Sequence, residues 1–190
     1  MTAQPDDTPA LLAALACEGL DTLEGAFAYS GGEDLDKPRL GTRRRTRLTL
    51  ADAAGRTHEL YLKRYGPRRP PPWARRRPGP ARREFDNIRA ARAAGVPTMR
   101  ELLCREEADV AGAVRGCLFV TAVPGDALER CLDEFLRRRP DDAAELARRL
   151  AALVAGLHGA GFVHRDLYAS HVFLHERGEG VEQNFQTALK

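Results

Sequence analysis

The sequence predicts an α+β chain in two parts, a strand-rich first lobe with one helix and a helical second lobe. Three observations predict it. Residues 46–50 and 58–65 alternate polar and apolar side chains on either side of a short Ala-Gly turn, the period-two signature of a β-hairpin. Residues 81–95 instead place Phe85, Ile88 and Ala91 at helical spacing, stop at Gly95 and carry Pro97 beyond the stop. After VPGDAL, 123–128, strands give way to helices, and Leu146, Leu150, Leu153 and Leu157 mark one face of a long one.

The remaining elements fall into order around these. Residues 1–19 read as a loose polar start and a short helix, and 26–41 is turn-rich, with Gly31, Gly32, Pro38 and Gly41. ELLCRE (101–106) and RGCLFVTAV (115–123) are two further strands. ALERCLDEFLRR, 127–138, is a short helix. The long helix over 141–161 has Asp141 or Asp142 to cap its start and Gly159 or Gly161 to end it. The expected division is a first lobe over 1–122 with a basic Pro-rich loop at 66–80, a hinge at 123–127, and a second lobe over 128–190.

Composition narrows the class of molecule. Of the 190 residues, 43% are hydrophobic and 30% charged, which suits a soluble globular chain. The longest apolar run, Leu146–Leu157, is broken by Arg148 and Arg149, so no segment spans a bilayer. The N-terminus has no basic region and carries Asp6 and Asp7, which argues against a secretory signal and for the cytoplasm. Cys17, Cys104, Cys117 and Cys131 form no CxxC pair and read as buried free thiols. The run RRPPPWARRRPGPARR, 68–83, is too rich in proline for a helix or a central strand. It is read as a solvated loop, with phosphates or an anionic membrane surface as the other readings. With Trp73 alone interleaved among the arginines, no nucleic-acid partner is expected.

The chemistry is concentrated in HGAGFVHRDLYASHVFLH, 158–175, which holds four of the five histidines. A helix delivers a polar loop, and the loop enters the apolar run V-F-L, an arrangement that holds Asp166 rigidly. His164-Arg165-Asp166-Leu167 matches the first four positions of the protein-kinase catalytic loop H-R-D-L-x-x-x-N, and His171 stands where that pattern has Asn. A kinase also needs a lysine on a first-lobe strand and a glutamate on the helix that follows. Lysine occurs only at positions 37, 63 and 190, so Lys63 within LYLKRY is conspicuous, and Glu84 lies in the first turn of the next helix. A compact ammonium on a strand suits nucleotide phosphates better than the wide guanidinium fork.

The sequence resembles the lipopolysaccharide kinase family, the Kdo and core heptose kinases of protein-kinase-like fold. HRDLYASHVFL resembles the family's loop, REFDNIRAARAAGVPTMREL its helix and the following turn, and GEDLDKPRLGTRRRTRLTL with LYLKRY its opening strands. The likeness extends over roughly residues 25–175. It implies transfer of a phosphoryl group from ATP, with Mg²⁺ or Mn²⁺, to a sugar hydroxyl of the lipopolysaccharide inner core, Kdo or heptose. It also implies peripheral contact with the inner face of the inner membrane. Asp166 would be the catalytic base, Lys63 the phosphate anchor and Glu84 its partner. His171 would stand near the metal as a ligand or a hydrogen-bonding neighbour, and His164 would brace the loop. His158 and His175 are expected to be bystanders.

Two features depart from the pattern. No G-x-G-x-x-G occurs in the first lobe, which leaves Gly31, Gly32 and Gly41 to approach phosphates. No Asp follows Asp166, whereas kinases hold Mg²⁺ with a second carboxylate after the catalytic loop. The tail from Val181 also turns amide-rich, with Gln183, Asn184 and Gln186. The expectation is therefore a C-terminally truncated or frameshifted kinase with an incomplete helical lobe, impaired activity and an uncovered apolar face on the long helix. The alternatives are a non-catalytic nucleotide-binding pseudokinase fragment and a protein Ser/Thr kinase-like enzyme.

Overall fold

The structure is a computed structural model that describes residues 7–35, 42–74, 76–165 and 167–176, and the backbone of 184–187. The chain forms two compact units, Met1–Asp86 with Glu101–Ala122, and Asn87–Arg100 with Val123–Lys190.

In the first unit two helices, α1 (Thr8–Cys17) and α2 (Leu23–Ala28), accompany a five-stranded sheet. Its strands are β1 (Glu33–Asp34), β2 (Arg43–Ala51), β3 (Thr57–Arg68), β4 (Glu101–Ala108) and β5 (Val114–Thr121), antiparallel throughout in the order β1-β2-β3-β5-β4. The alternation read at 46–50 is real: Thr46, Leu48 and Leu50 are buried, while Arg47 and Thr49 face water. Leu48, Leu50, Leu60, Leu62, Cys117 and Phe119 form a single core with Leu11, Leu15, Leu20, Leu23 and Ala26 from the helical segment. Each fully buried Leu or Phe stabilises the unit by about 1.5–3 kcal/mol. That apolar face fixes the register, because a one-residue slip would turn Leu60 and Leu62 outward.

The β2–β3 turn is tied by Asp52. Its carboxylate accepts from the Ala54 and Arg56 amides at 2.9 and 3.0 Å, from Arg56 Nε at 2.8 Å, and meets His58 Nε2 at 3.0 Å. His58 Nδ1 lies 3.4 Å from Asp7, just before α1. These contacts, the His58 hydrogen bond foremost, hold the Asp52 carboxyl well below the ordinary carboxylate range. Buried Arg64 ties the opposite end of the sheet. Its guanidinium donates to the Tyr29 carbonyl at 2.9 Å and to Thr46 Oγ1 at 2.5 Å, and Thr46 in turn donates to Asp34 at 2.7 Å.

A third helix, α3 (Pro80–Ala93), starts in the first unit and continues into the second. Its N-terminal segment brings no Ser, Thr, Asp or Asn to cap it, so the exposed amides need an outside acceptor. Glu106 on β4 supplies it, accepting from the Gly79, Ala81 and Arg82 amides at 3.0, 3.0 and 3.2 Å. An anion at this end also complements the helix dipole.

The second unit holds α4 (Leu128–Arg138), α5 (Ala143–Gly159) and a small antiparallel sheet of β6 (Asp126–Ala127), β7 (Val172–His175) and β8 (Asn184–Thr187). Leu128 and Phe135 of α4, Leu146 and Leu153 of α5, and Val172 and Leu174 of β7 make its core. The leucine face of α5 is therefore packed, contrary to the expectation of an open one, because α4 and β7 bring their own apolar residues to it. The exposed side of α5 is alanine-rich, with Ala147, Ala151, Ala152 and Ala155. Asp142 sits at the start of α5 without a side-chain capping bond, because a 3₁₀ turn over Pro140–Asp142 leads directly into the helix. Gly161 ends it: at φ +80° it lets its own amide and that of Phe162 reach back to His158 and Leu157. Gly125 (φ +87°) is required as well, since a Cβ there would lie 2.1 Å from the Leu174 carbonyl oxygen.

The four cysteines are free, but only Cys117 is buried, and Cys17 is exposed, unlike the uniform burial expected of them. Cys17 ends α1 on the side away from Leu11 and Leu15, so helical spacing alone puts it in water. Burial pushes the Cys117 thiol up to about 11 and that of Cys104 to about 12, so neither is a ready nucleophile.

Candidate active site

Lys63 and Tyr65 share a face of β3, opposite the one that carries Leu60 and Leu62 into the α1–α2 core. Glu84, in the first turns of α3, reaches that face. Lys63 Nζ donates to Glu84 Oε1 at 2.5 Å, and both side chains are about nine-tenths buried. The other carboxylate oxygen, Oε2, accepts from Arg43 Nη2 at 3.0 Å and from the Tyr65 hydroxyl. Arg43 stands opposite Tyr65 in the β2–β3 register, donates to its hydroxyl at 3.1 Å, and carries its guanidinium 5.0 Å from the ring centroid. One carboxylate thus gathers two cations and a phenol.

Burial alone would raise the Glu84 pKa. The charges of Lys63 and Arg43, with the hydrogen bonds from Lys63 and Tyr65, outweigh it and hold the carboxyl below its ordinary value. Tyr65 goes the other way, pushed up first by burial and then by the Glu84 charge, so its phenol stays a donor. The result is an ammonium fixed in position by a carboxylate that is itself fixed from two sides. Such a group is suited to holding the phosphates of a nucleotide.

Reasoning from sequence missed Arg43, Tyr65 and Glu106. With arginine so common in the chain, an individual one carried no signal. The hairpin register that sets Arg43 against Tyr65 was the clue, as was the lack of any capping side chain before α3. Gly31 and Gly32 lie at the approach to β1, outside the β1–β2 connection over 36–41. That connection, with Gly41, lies outside the described residues.

In the second unit the loop after α5 closes on itself. The ring centroids of His164 and His171 are 5.3 Å apart, and those of Tyr168 and His171 6.2 Å. The Leu167 side chain packs against the α4–α5–β7 core, and a 3₁₀ turn over Ala169–His171 leads into β7. Local sequence explains this, since an apolar residue on each side of the polar segment anchors it. Asp166 lies outside the described residues. Tyr168 is exposed. His158 is exposed in the last turn of α5, and His175 is half-buried in β7. Among the described residues no three His, Cys, Asp or Glu side chains converge on one point.

A five-stranded antiparallel sheet with a buried strand-lysine to helix-glutamate pair, and a separate unit that delivers an H-R-D loop, define a protein-kinase-like fold. The family model of the lipopolysaccharide kinase (Kdo/WaaP) family matches residues 73–189, more than half of the chain, and the chain belongs to that family. Among solved structures it is similar to WaaP in complex with acyl carrier protein. That match has a TM-score of 0.66 and 23% identity and covers 97% of this chain and 68% of the other. A MAP kinase from Leishmania major matches at a TM-score of 0.48 and 13% identity, over 97% of this chain and 50% of the other. No curated protein matches the sequence. Kinases of this family use ATP and a divalent metal in general. No helix among the described residues is long and apolar enough to cross a membrane.

Proposed function

We propose that the chain carries out ATP-dependent phosphoryl transfer to a sugar hydroxyl of the lipopolysaccharide inner core, on Kdo or heptose. The observation that carries this reading is the Lys63–Glu84 pair, locked by Arg43 and Tyr65. ATP, bound with Mg²⁺ or Mn²⁺, would supply the phosphoryl group. Lys63 holds the phosphates and Glu84 keeps its ammonium extended and charged. Asp166 orients the acceptor hydroxyl and takes its proton as the oxygen attacks, a role worth about 10²–10⁴-fold in rate. His164 braces the loop through His171, and His171 stands near the metal as a ligand or a hydrogen-bonding neighbour. The first lobe (1–122), hinge (123–127) and second lobe (128–190) are the functional division. Because the acceptor is borne on lipid, the site of action is the cytoplasmic face of the inner membrane. An acyl carrier protein, the partner held by the WaaP structure, is a second partner to test by pull-down.

The test is transfer of label from γ-labelled ATP to an inner-core acceptor, wild type against Asp166→Asn. Label in the sugar that the substitution abolishes supports the reading. ATP binding without turnover assigns a non-catalytic nucleotide-binding role, and label on protein hydroxyls assigns a protein kinase-like one.

A further inference from the structure

We propose that the Pro-Trp-Arg loop between β3 and α3 is a docking surface for an anionic phospholipid bilayer. From Arg64 to Arg83 the chain has no acidic residue. Gly66 and Pro67 interrupt the β3–β5 register, pairing resumes at Arg68 opposite Val114, and the loop begins beyond it. Trp73 lies in a 3₁₀ turn over Pro72–Ala74 and is 74% exposed, although it is the bulkiest apolar side chain in the protein and its sole tryptophan. Arg68, Arg69, Arg76 and Arg77 are exposed and make no ion pair with any described residue, and the Arg77 guanidinium lies 5.4 Å from the Trp73 ring centroid. Glu106, which meets the loop's C-terminal end, is engaged with the amides at the start of α3.

An exposed indole costs free energy in water and gains it at the headgroup boundary, where an amphipathic ring fits. Prolines 70–72 and the Ala74-to-Pro71 and Arg77-to-Ala74 backbone bonds (2.8 and 3.0 Å) hold the turn before binding, so little ordering remains to be done. The arginines around it meet phosphate headgroups while their stems lie along the apolar boundary. A polyanionic protein or a nucleic acid would satisfy the charges, but neither explains a single exposed indole at the apex of the turn. The bilayer satisfies both. This location agrees with the proposed function, yet none of these observations uses the phosphotransfer residues.

The experiment reads the fluorescence of Trp73, which no other tryptophan obscures. Phosphatidylcholine vesicles with about one-third phosphatidylglycerol are expected to shift its emission to the blue and to sediment the protein, while pure phosphatidylcholine does neither. Each arginine at the surface contributes about a fivefold factor in partitioning, so Arg76→Gln with Arg77→Gln is expected to lower it roughly 30-fold. Trp73→Ala is expected to reduce sedimentation with unchanged circular dichroism, since all three side chains face water. The proposal is overturned if anionic vesicles neither shift nor sediment the protein, or if these variants bind as the wild type does. It is equally overturned if an acidic carrier protein or duplex DNA shifts Trp73 while vesicles do not. Vesicle binding without phosphotransfer counts against the proposed function alone, and phosphotransfer without vesicle binding against this surface alone.

Discussion

Replacing Glu84 with Gln removes one charge and keeps nearly the same volume, so it isolates the electrostatics of the anchor. In the wild type one carboxylate oxygen faces Lys63 Nζ at 2.5 Å, and the other faces Arg43 Nη2 at 3.0 Å and the Tyr65 hydroxyl. An amide has one accepting oxygen, so its NH₂ must point at a donor on one side or the other. Losing the Lys63 contact is the more damaging outcome, because that side chain is only 10% exposed, whereas Arg43 at 29% can recover part of its hydration. Breaking one side of a buried pair costs about 3–5 kcal/mol. For a chain of this size that lowers the melting temperature by roughly 6–20 °C. Because the Glu84 pKa is depressed on folding, its contribution is fully present above its unfolded value, near 4.5, and is lost as pH falls through the folded value. The gap between wild type and Glu84→Gln in urea denaturation, followed by circular dichroism, is therefore full at pH 7 and shrinks below pH 4.5. Lys63→Met combined with Glu84→Gln should cost less than the sum of the single changes, because the two side chains share one interaction that either change already removes. A Glu84→Gln cost below about 0.5 kcal/mol at pH 7, the range of an ordinary surface substitution, would refute the reasoning.

Glu106→Ala leaves the amides at the start of α3 without their acceptor and is expected to cost about 1–2 kcal/mol, read by urea titration, with faster hydrogen exchange at Ala81 and Arg82. Phe135→Ala empties the centre of the α4–α5 core and should cost about 3–5 kcal/mol, with the loss appearing in the second unit's exchange protection. Acid should loosen the β2–β3 turn only well below the usual carboxylate range, because the Asp52 pKa is depressed and its stabilising charge persists until pH falls through the folded value. Amide exchange at Ala54 and Arg56 in acid checks this, and Asp52→Asn should speed it at neutral pH.

Most of the scaffold was legible because burial was one-sided. The hairpin announced itself through Leu48, Leu50, Leu60 and Leu62, and α5 through its four leucines, since one-sided burial forces a period onto the sequence. Lys63 and Glu84 were legible for a compositional reason, a rare lysine followed by a glutamate at a helix start. The elements that escaped lack such a period. β1 has two residues and is held by Arg64 and Thr46, and β8 forms within an amide-rich tail through pairing with β7. Arg43, Tyr65 and Glu106 are set by cross-strand register and by one helix's missing cap, which a one-dimensional pattern carries only once the pairing is known. The packed leucine face of α5 was misjudged for a similar reason: its cover comes from Phe135 and from Val172 and Leu174, distant in sequence.

The central claim is that Lys63, fixed by Glu84, anchors the phosphates of a nucleotide. Calorimetric titration with ATP, wild type against Lys63→Met, tests it most directly. The account predicts binding by the wild type that is stronger for ATP than for adenosine and weakened at least tenfold by the substitution, as expected when a charge-assisted contact of about 1.5–3 kcal/mol is lost. Equal affinity in the two proteins, or equal affinity for ATP and adenosine, would contradict it.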